Sequence, residues 1–255
     1  MTHEPLIGVI GGMGPYAGLD LTQKIFDHTA ASSDADHVPV ALLSYPGRIP
    51  DRTAFITGKT DVNPAGPIAE VAHELARLGV SVAGMPCHTA HAPPIFGPLQ
   101  ARLRDEIPHL RLLHMIEETI RFLREEYPSC RRIGVMATLG AYRTRLHADA
   151  LEAAGLTPIL PDENIQETII HRAIYDPTYG LKAQSHPVSM IARQSLISAI
   201  EHLREKGADA VLLGCTELSL AFTEAEHDGL PIIDPTMILA RALLRETYPH
   251  RLKPL

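Results

Sequence analysis

Two short segments of this 255-residue chain each recur once, at almost the same interval. Ile7-Gly-Val-Ile10 returns as Ile133-Gly-Val-Met136, an offset of 126 residues (7 to 133). An apolar run leading to a cysteine beside a threonine appears at Cys87 and again at Cys215, an offset of 128 (87 to 215). Independent motif pairs that share one spacing point to a chain made of two similar halves, each repeating the same strand and helix units.

The rhythm inside each half defines the fold class. Short apolar runs at 6–10, 38–43, 80–85, 111–115, 133–136, 210–213 and 231–233 alternate with helix-like segments, as expected of parallel sheets with helical crossovers. Apolar residues at 68, 71, 72, 75, 76 and 78 give the segment 64–78 helical periodicity, with Gly79 placed to end it. The segment 188–203 repeats this arrangement before Gly207. The expected architecture is α/β: two similar domains, each a mainly parallel sheet flanked by helices, related by a pseudo-twofold with the active site in the cleft between them. The boundary is expected near Tyr127-Pro-Ser-Cys-Arg-Arg132, giving domains 1–127, completed by a C-terminal helix at 235–255, and 128–234.

Composition narrows the function. With 45% apolar residues and 5% aromatics, the chain has the make-up of an ordinary globular α/β protein. Its 23 basic and 30 acidic residues give a net charge of −7 with no long single-sign block, which disfavours nucleic acid or an anionic membrane as partner. No stretch of about 18 apolar residues is present, and Met1-Thr-His-Glu-Pro-Leu-Ile7 lacks the basic and apolar regions of a signal peptide, so a cytoplasmic location is expected. Three cysteines is an odd number, and a reducing compartment would keep two functional thiols free rather than tied up as a disulfide.

Ligands of open α/β sheets bind beyond the carboxyl ends of the strands, where both Cys87 and Cys215 fall. A thiol beside a helix amino terminus or a cation can lose its proton near neutral pH and act as a base. Two facing thiols, one ionised and one not, can take a proton from one side of a carbon and return one on the other. A single buried cysteine is ordinarily packing, but packing does not explain a threonine beside both. Cys130, set between Ser129 and Arg131, reads as an incidental loop cysteine. Gly11-Gly-Met-Gly-Pro15 lacks the spacing of a dinucleotide or P-loop turn and reads as a carboxylate-binding turn, with a purely structural turn as the alternative. Cys87, His88 and His91 would be a poor zinc set, because no second group of ligands appears and a metal would quench the thiolate.

Five motifs in order, Ile10-Gly-Gly-Met-Gly-Pro15, Ile49-Pro-Asp-Arg-Thr53, Met85-Pro-Cys-His-Thr-Ala-His91, Tyr179-Gly-Leu-Lys182 and Leu213-Gly-Cys-Thr-Glu-Leu218, make the chain resemble the aspartate/glutamate racemase family over nearly its whole length. The resemblance implies a cofactor-independent amino-acid racemase, often a homodimer, acting on a small dicarboxylic amino acid through Cys87 and Cys215. It implies substrate contacts from Arg52 and Lys182, cations suited to two carboxylates. Thr89 and Thr216 would hydrogen-bond the α-carboxylate or cap helices, with Thr138 joining them. Met13 in the glycine turn and Glu217 complete the candidate contacts, Glu217 either positioning the ligand ammonium or forming an ion pair within the scaffold. His171, in another stretch similar to the family, is expected to pack on a helix face.

One position departs from the family pattern. His88 stands where asparagine is usual, placing a titratable ring beside Cys87 and bearing on substrate preference more than on reaction type. The competing expectations are another cysteine-pair enzyme of the superfamily (hydantoin racemase, arylmalonate decarboxylase or maleate isomerase), a non-catalytic amino-acid-binding protein, and a dithiol redox protein.

Overall fold

The computed structural model describes residues 4–255; Met1–His3, where the reading of the amino terminus begins, lie outside them. The chain divides into two compact units, residues 1–118 with 236–255, and residues 119–235.

The first unit holds strands β1 (Leu6–Gly11), β2 (Val40–Ser44), β3 (Val80–Gly84) and β4 (Arg111–Leu112), all parallel, in the order β2-β1-β3-β4. Alternation along β1 feeds two apolar clusters. Ile7 and Val9 pack with Leu21, Ile25, Leu239 and Leu243, whereas Leu6 and Ile10 pack with Ile68, Leu75 and Leu99. A sheet covered on both faces is the usual home of parallel strands. The helix Ala65–Arg77 buries Ile68, Val71, Ala72 and Leu75, one stripe at helical spacing, and Gly79 follows at φ +94°. Helix Pro235–Thr247 belongs to this unit and places Leu239, Leu243 and Leu244 in its core.

The second unit holds β5 (Arg132–Ala137), β6 (Thr157–Ile159), β7 (Ala210–Gly214), β8 (Glu226–His227) and β9 (Leu230–Ile233) in the order β6-β5-β7-β9-β8. Only β8 runs antiparallel to its neighbour. Without that edge strand, the order matches the first unit strand for strand, with β5 standing where β1 stands and β7 where β3 stands. The helix Met190–Glu205 starts on Ser189, whose hydroxyl accepts from the Ala192 N–H at 3.3 Å.

The division falls inside the helix Met115–Glu126, between Glu118 and Thr119, rather than at Tyr127–Arg132. The first turn is held to the first unit by Met115, buried in its core, and by the 2.7 Å ion pair of Glu118 with Arg245. Among the described residues no helix is long and apolar enough to cross a membrane.

Candidate functional site

In the first unit β3 ends at Gly84, and Met85 and Pro86 lead to Cys87. A Cβ at Gly84 would lie 2.9 Å from Leu243 Cδ1, a side-chain tip that would have to move aside. Cys87 is 6% exposed and is the N-cap residue of a 3₁₀ turn, His88–His91, with extended backbone (φ −159°, ψ 103°). His88 and Thr89 are buried beside it. The glycine turn uses φ +92° at Gly12 and +90° at Gly14, and a Cβ on Gly12 would meet the Tyr45 backbone nitrogen at 2.7 Å. Gly14 is the N-cap of helix Pro15–Asp27 and Pro15 opens its first turn. The Met13 side chain is packed in the core with Ile10 and Ile49. Arg52 begins the helix Arg52–Ile56, which Asp51 caps by accepting from the Ala54 N–H at 2.6 Å. Its Nη1 donates to the Pro50 carbonyl at 3.1 Å, fixing the guanidinium on its own loop.

In the second unit β7 ends at Gly214, where a Cβ would lie 2.8 Å from the Met136 carbonyl and 2.9 Å from His147 Cε1. Cys215 follows at once, buried, as N-cap of the helix Thr216–Ala221. Its Sγ donates to Glu217 Oε2 at 3.0 Å, and Glu217 Oε1 accepts from Lys182 Nζ at 2.6 Å. Lys182 reaches this position because its turn folds back on the helix Arg172–Tyr175, with the Leu181 and Lys182 amides donating to the Ala173 and Ile174 carbonyls. Gly180 permits that turn: a Cβ there would lie 2.5 Å from the Asp176 nitrogen. The Tyr175 ring faces the Lys182 ammonium at 5.4 Å. Thr138 caps the helix Leu139–Arg143, accepting from the Ala141 N–H at 3.3 Å.

The electrostatics of the second unit follow from this chain. Burial pushes the Cys215 thiol well up, the Glu217 charge pushes it further, and Lys182 offsets only part, so Cys215 is held as a protonated thiol. Burial also opposes ionisation of Glu217, but the Lys182 charge and the Cys215 hydrogen bond outweigh it and its carboxyl lies below the ordinary value. Burial works against the Lys182 ammonium, and the charge of Glu217 more than restores it. His147, wholly buried against Gly214, is pushed down to about 4 by burial.

The candidate residues thus fall into two sets. Cys87, His88 and Thr89 share one loop of the first unit, with Met13 and Arg52 on neighbouring loops. Cys215, Glu217 and Lys182 form a bonded cluster in the second, with Thr216 buried between the first two in sequence, and Thr138 directly follows adjacent β5. Neither Thr89 nor Thr216 caps a helix, since the cysteines themselves occupy the N-cap positions. Cys130 lies on the loop before β5, its Sγ 3.6 Å from the Asp209 carbonyl. His171 sits in a π-helical stretch, Gln166–His171, with its ring 4.8 Å from Tyr175. Two residues of this region went unnoticed in the sequence, Tyr175 beside Lys182 and buried Gln166, whose Nε2 donates to the Ala137 carbonyl at 2.9 Å. Gln166 opens the same family-like stretch as His171, and that was the available signal. Among the described residues no group of three or more His, Cys, Asp or Glu is placed to hold a metal ion.

Residues 10–243 match the family described as Asp/Glu/Hydantoin racemase, and the chain belongs to that family. It is 25% identical to the broad specificity amino-acid racemase RacX of Bacillus subtilis over 251 residues, 95% of this chain and 98% of that one. It is 29% identical to the glutamate racemase of Deinococcus radiodurans over 180 residues, 68% of this chain and 55% of that one. Among solved structures, Picrophilus torridus aspartate racemase superposes with a TM-score of 0.78 at 26% identity, over 95% of this chain and 94% of that one.

Proposed function

We propose that this protein is a cofactor-independent amino-acid racemase that interconverts L- and D-aspartate, alone or together with glutamate, with Cys87 and Cys215 as base and acid on opposite faces of the α-carbon. The observation that carries this reading is the repeated placement of a cysteine and a threonine just past the end of the third strand of each sheet, in a chain of this family. Deprotonation leaves a planar carbanion, and donors from Thr89, Thr138 and Thr216 would stabilise the charge moving onto the α-carboxylate. Arg52 would hold a carboxylate through its fork of N–H donors, and Lys182 would supply a point charge. The homodimer implied by the resemblance is part of the same proposal.

A wider substrate range is the second reading. It is favoured by the likeness to RacX and by Glu217, which neutralises Lys182 and leaves less net positive charge for a side-chain carboxylate.

The test is chiral analysis of a panel of L- and D-amino acids incubated with the protein in D₂O without added cofactor. Racemisation of aspartate with deuterium at Cα is expected, and Cys87→Ala and Cys215→Ala should each abolish it. Single-cysteine variants that racemise at the wild-type rate would refute the two-base account. Loss of CO₂ or double-bond isomerisation in place of racemisation would favour another cysteine-pair chemistry.

A further inference from the structure

His91 is 1% exposed, so both of its ring nitrogens need partners inside the protein. Nδ1 lies 2.9 Å from the Cys87 carbonyl oxygen, which can only accept. Nε2 lies 3.2 Å from the Met115 backbone N–H, which can only donate. The ring is therefore neutral, with its proton on Nδ1. It is stacked on Phe96 (centroids 5.1 Å apart, planes at 23°) and meets His114 edge-on at 4.7 Å, which hold the plane of the ring. The Cys87 carbonyl also accepts from the Ala90 N–H at 3.2 Å. Two donors on one carbonyl fix the Cys87 peptide plane and hence the direction of its Cα–Cβ bond. Met115 supplies one of the amide donors left open at the start of its helix, so one ring joins the cysteine loop to the helix that follows β4.

The second repeat has the same connection built from different residues. Ser219 stands four places after Cys215, as His91 stands four places after Cys87. It is 1% exposed, and its hydroxyl donates to Asp234 Oδ1 at 2.7 Å. Asp234 directly precedes the helix Pro235–Thr247, which follows β9, and β9 stands in the order of the second sheet where β4 stands in the first. The turn carrying Ser219 is joined to the cysteine through the Leu218 N–H, which donates to the Cys215 carbonyl at 2.9 Å. A buried polar anchor thus stands at the same offset in both repeats, bonded each time to the segment that follows the next strand.

We propose that the residue four places after each cysteine is its positioning residue, His91 for Cys87 and Ser219 for Cys215, anchoring the cysteine loop to the segment that directly follows the next strand of its own sheet. The two anchoring bonds, His91 with Met115 and Ser219 with Asp234, each lie within one unit and act separately. Neither adds a net positive charge beside its thiol. The catalytic use of the cysteines rests on the racemase reading, but the anchoring does not require turnover to be detected.

The experiment is native-state alkylation of the full chain with iodoacetamide, the rate at each of the three cysteines being read by peptide mass spectrometry. His91→Ala should raise the Cys87 rate about tenfold, the factor expected when one hydrogen bond of ordinary net strength stops holding a loop closed, and leave the Cys215 rate unchanged. Ser219→Ala should do the converse. His91→Asn, which keeps a side-chain N–H for the Cys87 carbonyl, should return the Cys87 rate toward wild type. Equal acceleration of both cysteines in either alanine variant, or no change at the partnered cysteine, would overturn the proposal. Long-range proton–nitrogen correlation on the wild-type protein gives a reading that needs no variant to fold. A protonated Nδ1 and a bare Nε2 are expected for His91, and the reverse tautomer or an imidazolium at neutral pH would overturn its anchor. A protein that fails to racemise any amino acid while showing the cysteine-specific rates would refute the racemase reading and leave the anchors standing.

Discussion

The thiol of Cys215 and the carboxylate of Glu217 share a 3.0 Å hydrogen bond in which sulfur is the donor. The carboxylate is kept ionised by Lys182 on its other oxygen, at 2.6 Å, so proton, anion and cation form a chain of three in which the thiol and carboxylate are buried and the ammonium side chain is partly exposed. This arrangement keeps a proton on Cys215. Under the two-base reading, a cycle starting there removes the substrate's proton with Cys87.

Glu217→Gln tests this ordering. The substitution removes the negative charge that disfavours the Cys215 thiolate and leaves the Lys182 cation beside it. The inflection in Cys215 alkylation against pH should move to lower pH, with roughly tenfold more thiolate at a given pH for each unit of movement. An unchanged or upward inflection would show that the carboxylate does not hold the proton in place.

Lys182→Met examines the same chain from the cation side. Removing one member of a buried pair costs roughly 3–5 kcal/mol, and the partial exposure of the Lys182 side chain (28%) brings the expected loss at pH 7 to about 2–3 kcal/mol. The sign of its pH dependence is diagnostic. In the wild type the folded-state carboxyl of Glu217 lies below 4.5, so its contribution is complete above that value and is lost as pH falls through the folded value. Without Lys182, burial raises the folded value instead, and acidification from pH 7 toward 5 should narrow the gap between variant and wild type in denaturant midpoint. A gap that widens would contradict the pairing.

Much of the fold was legible because its signals are local. Continuous apolar runs gave β1, β3, β5 and β7, the inner strands of their sheets, and the stripe from Ile68 to Leu75 gave its helix within a residue or two of Ala65–Arg77. The strands at the sheet edges were harder. Thr157–Ile159 carries Pro158 and is too short to show alternation, and Glu226–His227 is polar and only two residues long. The run at 111–115 yields only Arg111–Leu112 because Met115 already begins a helix. Within the candidate site, residue types and their repeat offset were readable, but bonding partners were not. Glu217 and Lys182 are 35 residues apart, and nothing local says that they meet. The role of His91 was equally hidden, because its two partners are backbone atoms that leave no trace in side-chain pattern.

The two strand-end glycines, Gly84 and Gly214, give a paired prediction. A Cβ at 84 would press on Leu243 Cδ1 at 2.9 Å and Leu239 Cδ2 at 3.2 Å, which are tips of flexible side chains. At 214 it would press on the Met136 carbonyl at 2.8 Å, a backbone atom of the paired strand, and on the buried His147 ring. Gly214→Ala should therefore cost roughly 1–3 kcal/mol and Gly84→Ala distinctly less. Thermal unfolding of the two variants decides it, and an equal or reversed order would show that strand β5 gives way more easily than the leucines.

His147 carries the last prediction. Its ring lies in the second unit against Gly214 and is pushed down to about 4 because burial penalises the charged form. An unfolded chain has its imidazole near the ordinary value of about 6.5, so between that value and 4 the unfolded state binds the proton that the folded state refuses. Stability is then complete above 6.5 and is lost progressively as pH falls toward 4, by roughly 3 kcal/mol from this one residue. His147→Gln, which cannot ionise, should remove that component. The stability difference between wild type and variant, measured by denaturant unfolding at pH 7 and pH 4.5, should shift in favour of the variant at the lower pH. In the wild type the His147 ring protons should show no titration by NMR until the pH approaches 4. A midpoint near 6.5 would mean that the ring is open to water and that the end of β7 is less tightly closed behind Cys215 than its burial indicates.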